Sequence, residues 1–129
     1  RDQPRSRGLG DVYKRQMNIA CLKYRMTPEE VLTAVTLNGA AAIGRADRIG
    51  SLEPGKQADL IVIDLQRPNM QPVHNAARNL VYSGSKENVR LTMVAGRVLY
   101  ENGAFFIGEP VQDIYRAVDA AFSAMRARL

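Results

Sequence analysis

The chain has 129 residues, with 18 Lys and Arg against 13 Asp and Glu, one His, one Cys and no Trp. That length bounds one domain with a modest core, and 46% hydrophobic with 24% charged residues excludes a disordered or fibrous chain. No apolar run reaches the roughly 18 residues a membrane helix needs, and a single Cys and a single His exclude a disulfide framework or a multi-histidine metal centre built from one chain.

Residues 1–16 hold Arg1, Arg5, Arg7, Lys14 and Arg15 against Asp2 and Asp11, so the remaining residues include 13 basic and 11 acidic ones. The net charge of +5 is therefore concentrated at one end. No Lys/Arg stripe with interleaved aromatics follows it, which argues against a nucleic-acid surface. Asp11 to Gln16 is what GAT GTG TAT AAG AGA CAG encodes, and that string resembles the transposon end used in preparing sequencing libraries. Residues 1–16 are accordingly set aside from the fold as a translated adapter scar; the competing reading is a natural basic, disordered terminus. Without an apolar stretch the segment is no signal peptide.

Met17 to Arg25, apolar at 17, 19, 20, 21, 22 and 24, reads as a short buried helix. Thr27-Pro28-Glu29-Glu30 is a helix start: Thr27 caps, Pro28 suits the first position, and Glu30 completes the capping box. The helix runs to Ile43, apolar on more than one side, with small residues at 39–42 and Gly44 as its stop. Such a helix is built to be covered by something large. Glu53-Pro54-Gly55-Lys56 reads as a type II turn, and Leu60 to Leu65 as a strand buried on both faces.

Residues 66–77 form a loop, and Asn75 to Tyr82 a short helix. Val89 to Ala95 and Arg97 to Glu101 are strands meeting at Gly96, and Asn102-Gly103 is a hairpin turn before Ala104 to Ile107. Val111, Ile114, Tyr115, Val118, Phe122 and Met125 lie on one face of a closing helix. The fold class is α+β.

Few residues invite chemistry. Gly50 to Lys56 satisfies G-x-x-x-x-G-K, but Gln57 stands where a hydroxyl should hold magnesium, Pro54 removes a backbone donor, and the motif precedes a strand instead of following one. It reads as a turn. His74 lies in a loop and reads as a surface residue. Cys21 in an apolar helix reads as a small buried hydrophobe, and Asp59 and Asp64 flank a strand with no convergent ligands. No nucleophile elbow or carboxylate pair with a His partner occurs, so no catalytic, cofactor-binding or metal-ligating residue is assigned.

Ile49-Gly50-Ser51-Leu52-Glu53-Pro54-Gly55-Lys56-Gln57-Ala58-Asp59-Leu60-Ile61-Val62-Ile63-Asp64 resembles a signature of the amidohydrolase superfamily, at the entry into the C-terminal half of its small β-sandwich. Thr27 to Ala40 resembles the helix after the last strands of that family's (β/α)₈ barrel, and Val89 to Val98 its closing hairpin. Asn18 to Met26 looks like imidazolonepropionase. Pro68 to Tyr82 and the tail through Leu129 look like the chlorohydrolase and methylthioadenosine/S-adenosylhomocysteine deaminase group, which carries more weight because the tail adds a whole element.

The resemblance implies a C-terminal fragment: residues 17–46 the end of the barrel domain, 47–108 the C-terminal half of the β-sandwich, and 109–129 a terminal amphipathic helix. The implied parent is a cytoplasmic, homo-oligomeric hydrolase of C–N bonds in a nitrogen heterocycle, binding neither nucleic acid nor membrane. Its divalent metal, zinc first, is held in the family by a His-x-His pair, further His residues and an Asp. None of these positions falls within residues 17–129; the Asp would lie just upstream of Met17. The fragment alone is expected to bind no metal and to be inert. The alternatives are an imidazolonepropionase-type ring-opening hydrolase and, from another class, a small basic nucleic-acid-binding or interaction module.

Overall fold

The computed structural model describes residues 8–127. Helix α1 spans Gly8–Tyr24 and so runs continuously through Met17. Once a helix is nucleated, each added residue gains a backbone hydrogen bond, and nothing between Gly10 and Met17 breaks the run. The expectation that residues 17–25 are buried is corrected. Only Cys21 is buried there, while Ile19, Leu22 and Tyr24 are exposed.

Helix α2 (Pro28–Thr33) begins as its residues dictate. The Glu30 N–H donates to Thr27 Oγ1 at 3.2 Å and the Thr27 N–H donates to Glu30 Oε2 at 2.8 Å, which closes the capping box. The helical run continues through a π-helical turn (Ala34–Asn38) into α3 (Gly39–Ala42), and Gly44 ends it at φ 68°. After the loop 45–59, strand β1 (Leu60–Ile63) forms. A 3-10 turn follows at Pro68–Met70, then α4 (Ala76–Arg78) running into a π-helical turn (Asn79–Ser83). Asn75 caps α4 by accepting from the Arg78 N–H at 2.8 Å.

A 3-10 turn (Lys86–Asn88) leads into strands β2 (Val89–Val94), β3 (Arg97–Glu101) and β4 (Ala104–Phe105), and α5 (Val111–Arg126) follows them. The four strands form one antiparallel sheet in the order β1-β2-β3-β4, which makes the arrangement α+β. The β2–β3 turn at Ala95-Gly96 and the β3–β4 turn at Asn102-Gly103 both use positive φ, as two-residue hairpins require.

The core is small. Cys21, Val31 and Val81 bring α1, α2 and the helical turn after α4 together, with Met17, Ala20, Met26 and Leu32 packed around them. Between the later part of the helical run, from Val35 to Ile43, and strands β1 and β2 lies an apolar cleft of about 580 Å³ lined by Val35, Ala40, Ile43, Leu60, Ile61 and Met93. The expectation that β1 is buried on both faces therefore fails: Ile61 is 56% and Val62 44% exposed. A strand's apolar run reports what its faces need, and no described element fills that need. On α5, Tyr115, Val118, Phe122 and Met125 are all more than half exposed, so its apolar face lies open too.

Candidate functional site

The Gly50–Lys56 loop has the charge and the glycines of a phosphate cradle, but its polar groups satisfy one another. Lys56 Nζ donates to Ser51 Oγ at 2.6 Å and lies 3.4 Å from Glu53 Oε1, and Ser51 Oγ donates to that same carboxylate oxygen at 2.5 Å. The Lys56 side chain is 13% exposed. The Ser51 hydroxyl, followed by the Lys56 ammonium, holds the Glu53 carboxyl below the usual carboxylate range. The Lys56 N–H donates to the Glu53 carbonyl at 3.1 Å across Pro54-Gly55, with Gly55 at φ 89°, the geometry of the expected type II turn. A serine that already donates to an internal carboxylate is a loop staple, with no hydroxyl aimed at a substrate.

The other candidates are placed apart. Asp59 Oδ1 accepts from the Ala95 N–H at 2.6 Å, fastening the β2–β3 turn to the end of β1. Asp64 Oδ1 accepts from the Gln66 N–H at 2.9 Å, and its other oxygen pairs with Arg67 Nε at 3.3 Å. Both carboxylates therefore hold turns. His74 is exposed in the loop before α4. Cys21 is buried against the α2 core, where a hydrogen bond with it, aided by desolvation, pushes the Tyr82 hydroxyl above its ordinary range. Among the described residues no group of three or more His, Cys, Asp or Glu could hold a metal ion.

The most heavily used polar side chain was invisible to motif reading. Asn88 is buried, and its Oδ1 accepts from Asn69 Nδ2 (2.8 Å), the Ser85 N–H (2.8 Å) and Ser85 Oγ (3.2 Å). Its Nδ2 donates to Asn69 Oδ1 at 3.2 Å, and its own carbonyl accepts from the Asp64 N–H at 2.7 Å. The spacing Ser85-x-x-Asn88 is the one local trace of this, a capping pattern before a strand. A second tie is Asn75 Nδ2 donating to Glu29 Oε1 at 3.2 Å. Glu29's own backbone N–H, and then Asn75, hold that carboxyl below its usual range.

The sequence model of the amidohydrolase family matches residues 7–99. A 5-methylthioadenosine/S-adenosylhomocysteine deaminase of Nitratidesulfovibrio vulgaris is 48% identical over 88 residues, covering 67% of this chain and 20% of the relative. An imidazolonepropionase of Phocaeicola vulgatus is 44% identical over 84 residues, covering 65% of this chain and 18% of the relative. The chain thus spans about a fifth of the length of the curated relatives it matches. Among solved structures, a zinc-bound adenosine deaminase from Xanthomonas campestris superposes with a TM-score of 0.82 at 27% identity, covering 92% of this chain and 28% of that one.

Proposed function

The chain belongs to the amidohydrolase family, and on that premise we propose that it is the C-terminal part of a metal-dependent hydrolase releasing ammonia from an amino-purine or related nitrogen heterocycle. One observation carries this reading. The likeness to a zinc-bound adenosine deaminase extends over 92% of the chain, more than could be reached without part of α5. In this reading residues 17–46 close the catalytic barrel, 47–108 are the C-terminal half of the β-sandwich and 109–129 are the terminal helix. The parent is a cytoplasmic homo-oligomer acting on a small molecule.

A divalent metal in such an enzyme lowers the pKa of bound water and polarises the attacked carbon. The described residues do not fit that ion: His74 is exposed, Cys21 is buried in an apolar cluster, and Asp59 and Asp64 hold turns. No step of the reaction is therefore assigned to this chain. Its contribution is architectural. The capping box fixes the start of a helical run whose apolar residues Val35, Leu37 and Ile43 remain exposed, Val35 and Ile43 on the cleft toward the sheet, to receive the rest of the protein.

The ring-opening alternative is favoured by the Phocaeicola vulgatus relative, whose identity and coverage are close to those of the deaminase. Grafting residues 17–125 in place of the matching segment of each relative separates the two. Retained zinc and ammonia release in the deaminase chimera is the expected result. Activity confined to the imidazolonepropionase chimera, or failure of both to fold, would overturn the proposal.

A further inference from the structure

We propose that Asn102, at the tip of the β3–β4 hairpin, is a site of spontaneous side-chain deamidation, and that the fold directs this chemistry there while shielding the protein's other Asn-Gly pair, Asn38-Gly39. In an Asn-Gly pair the glycine nitrogen, having lost its proton to solvent base, attacks the carbon of the asparagine amide. The new N–C bond forms a five-membered imide as the bond from that carbon to the amide nitrogen breaks and ammonia leaves. Water then opens the imide at either carbonyl to give aspartate or isoaspartate. One water is consumed and one ammonia released, and no oxidant or cofactor is needed. Glycine favours the step because it carries no Cβ to obstruct the attacking nitrogen.

Both asparagines are exposed, so exposure does not separate them. Their backbones do. Asn38 sits inside the helical run at φ −69° and ψ −34°, and the Gly39 N–H, the attacking group, donates to the Thr36 carbonyl. Reaching the side chain would require breaking that bond and turning Asn38 out of its helical ψ. Asn102 lies in a two-residue turn at φ 46°, with Gly103 at φ 93°, and residues 101–110 are all exposed. Among the described residues the Gly103 N–H has no hydrogen-bond partner.

The turn also activates the carbon. Arg90 Nε donates to Asn102 Oδ1 at 3.2 Å, so a guanidinium sits on the oxygen that gains charge as the nitrogen attacks. The aspartate product would place a carboxylate against the same guanidinium, beside Glu101. The isoaspartate product inserts an extra backbone carbon into the turn that sets the Glu101–Ala104 pairing. It would therefore loosen β4 and the Tyr100–Phe105 ring contact, whose centroids lie 5.0 Å apart.

The test follows aspartate and isoaspartate at positions 38 and 102 by peptide mapping. The protein is incubated in mildly alkaline buffer, with a parallel sample in concentrated urea. Without urea, Asn102 is expected to convert at least about tenfold faster than Asn38, a difference of about 1.4 kcal/mol in barrier; in urea the two rates should converge. Arg90→Met should slow conversion at Asn102 and leave Asn38 unchanged. Equal rates in the absence of urea, or faster conversion at Asn38, would overturn the proposal, and an unslowed Arg90→Met variant would overturn the role given to Arg90.

Discussion

Asn88 and Asn69 exchange hydrogen bonds, but Asn88 alone is buried, at 1% exposure, and alone joins the 3-10 turn at 86–88 to the end of β1. Truncating it leaves the Ser85 N–H and the Asn69 amide without their acceptor. Asn88→Ala should therefore lower unfolding free energy by about 2–3 kcal/mol, and Asn69→Ala by clearly less, because water can reach the partners it abandons. Urea titration of both variants checks this; equal losses would show that Asn88 is not the hub. Glu53 gives a pH-dependent counterpart. Its carboxyl is held below the ordinary 4.5 by Ser51 and Lys56, so its contribution is present above that value and is lost as pH falls through the lowered one. Acid should loosen the 50–56 loop to proteolysis, and Glu53→Gln should loosen it already at neutral pH and flatten the pH dependence.

The helical run at 28–42 depends on its start and on what lies against its end. Thr27→Ala removes the acceptor of the Glu30 N–H and should cost about 1 kcal/mol. Gly50 is a different kind of constraint. It has φ 95°, and a Cβ there would lie 2.7 Å from the Ala40 Cβ and 3.1 Å from the Leu37 Cα. Gly55 has a similar φ of 89° with nothing within 4 Å. Gly55→Ala should therefore cost only the left-handed backbone, about 1–2 kcal/mol. Gly50→Ala should cost that plus about 1–3 kcal/mol of overpacking, because the atoms it meets belong to the helix itself. The gap between the two variants in denaturant midpoint measures how tightly the loop is seated on the helical run at Thr36, Leu37 and Ala40. No gap would mean the close approach carries no energy.

At the scale of the whole molecule, apolar surface lies open on α1 at Ile19 and Leu22, on Val35 and Leu37 of the 28–42 run, on both sides of β1, at Phe105 to Ile107 and along α5. Continuous apolar patches beyond a few hundred Å² drive association, and β1 is an edge strand that, among the described residues, pairs with β2 on one side only. A core of Cys21, Val31 and Val81 leaves little stability to oppose this. The protein by itself should self-associate and melt broadly, binding no stoichiometric zinc and releasing no ammonia from purine substrates. Sedimentation and scanning calorimetry are the checks. A monodisperse monomer with a sharp transition would contradict the reading that these faces belong against a longer protein.

What the sequence determined by itself is whatever short-range chemistry controls. The Thr27–Glu30 capping box, Gly44 at the helix stop, the Pro54-Gly55 turn, the Asn102-Gly103 hairpin and the α5 face each depend on residues a few positions apart, and each appears where its pattern placed it. The family signature at 49–64 is likewise a continuous string. Only the tertiary structure decided that α1 reaches back to Gly8, that Asp59 fastens a turn 36 positions away, and that Asn88 rather than any carboxylate is the buried polar hub. Burial was the least legible property. Leu60–Ile63 is apolar enough to be covered on both faces, yet whether it is covered depends on which other elements reach it. Periodicity records a strand's demand for partners, and only the three-dimensional arrangement shows whether the partners are there.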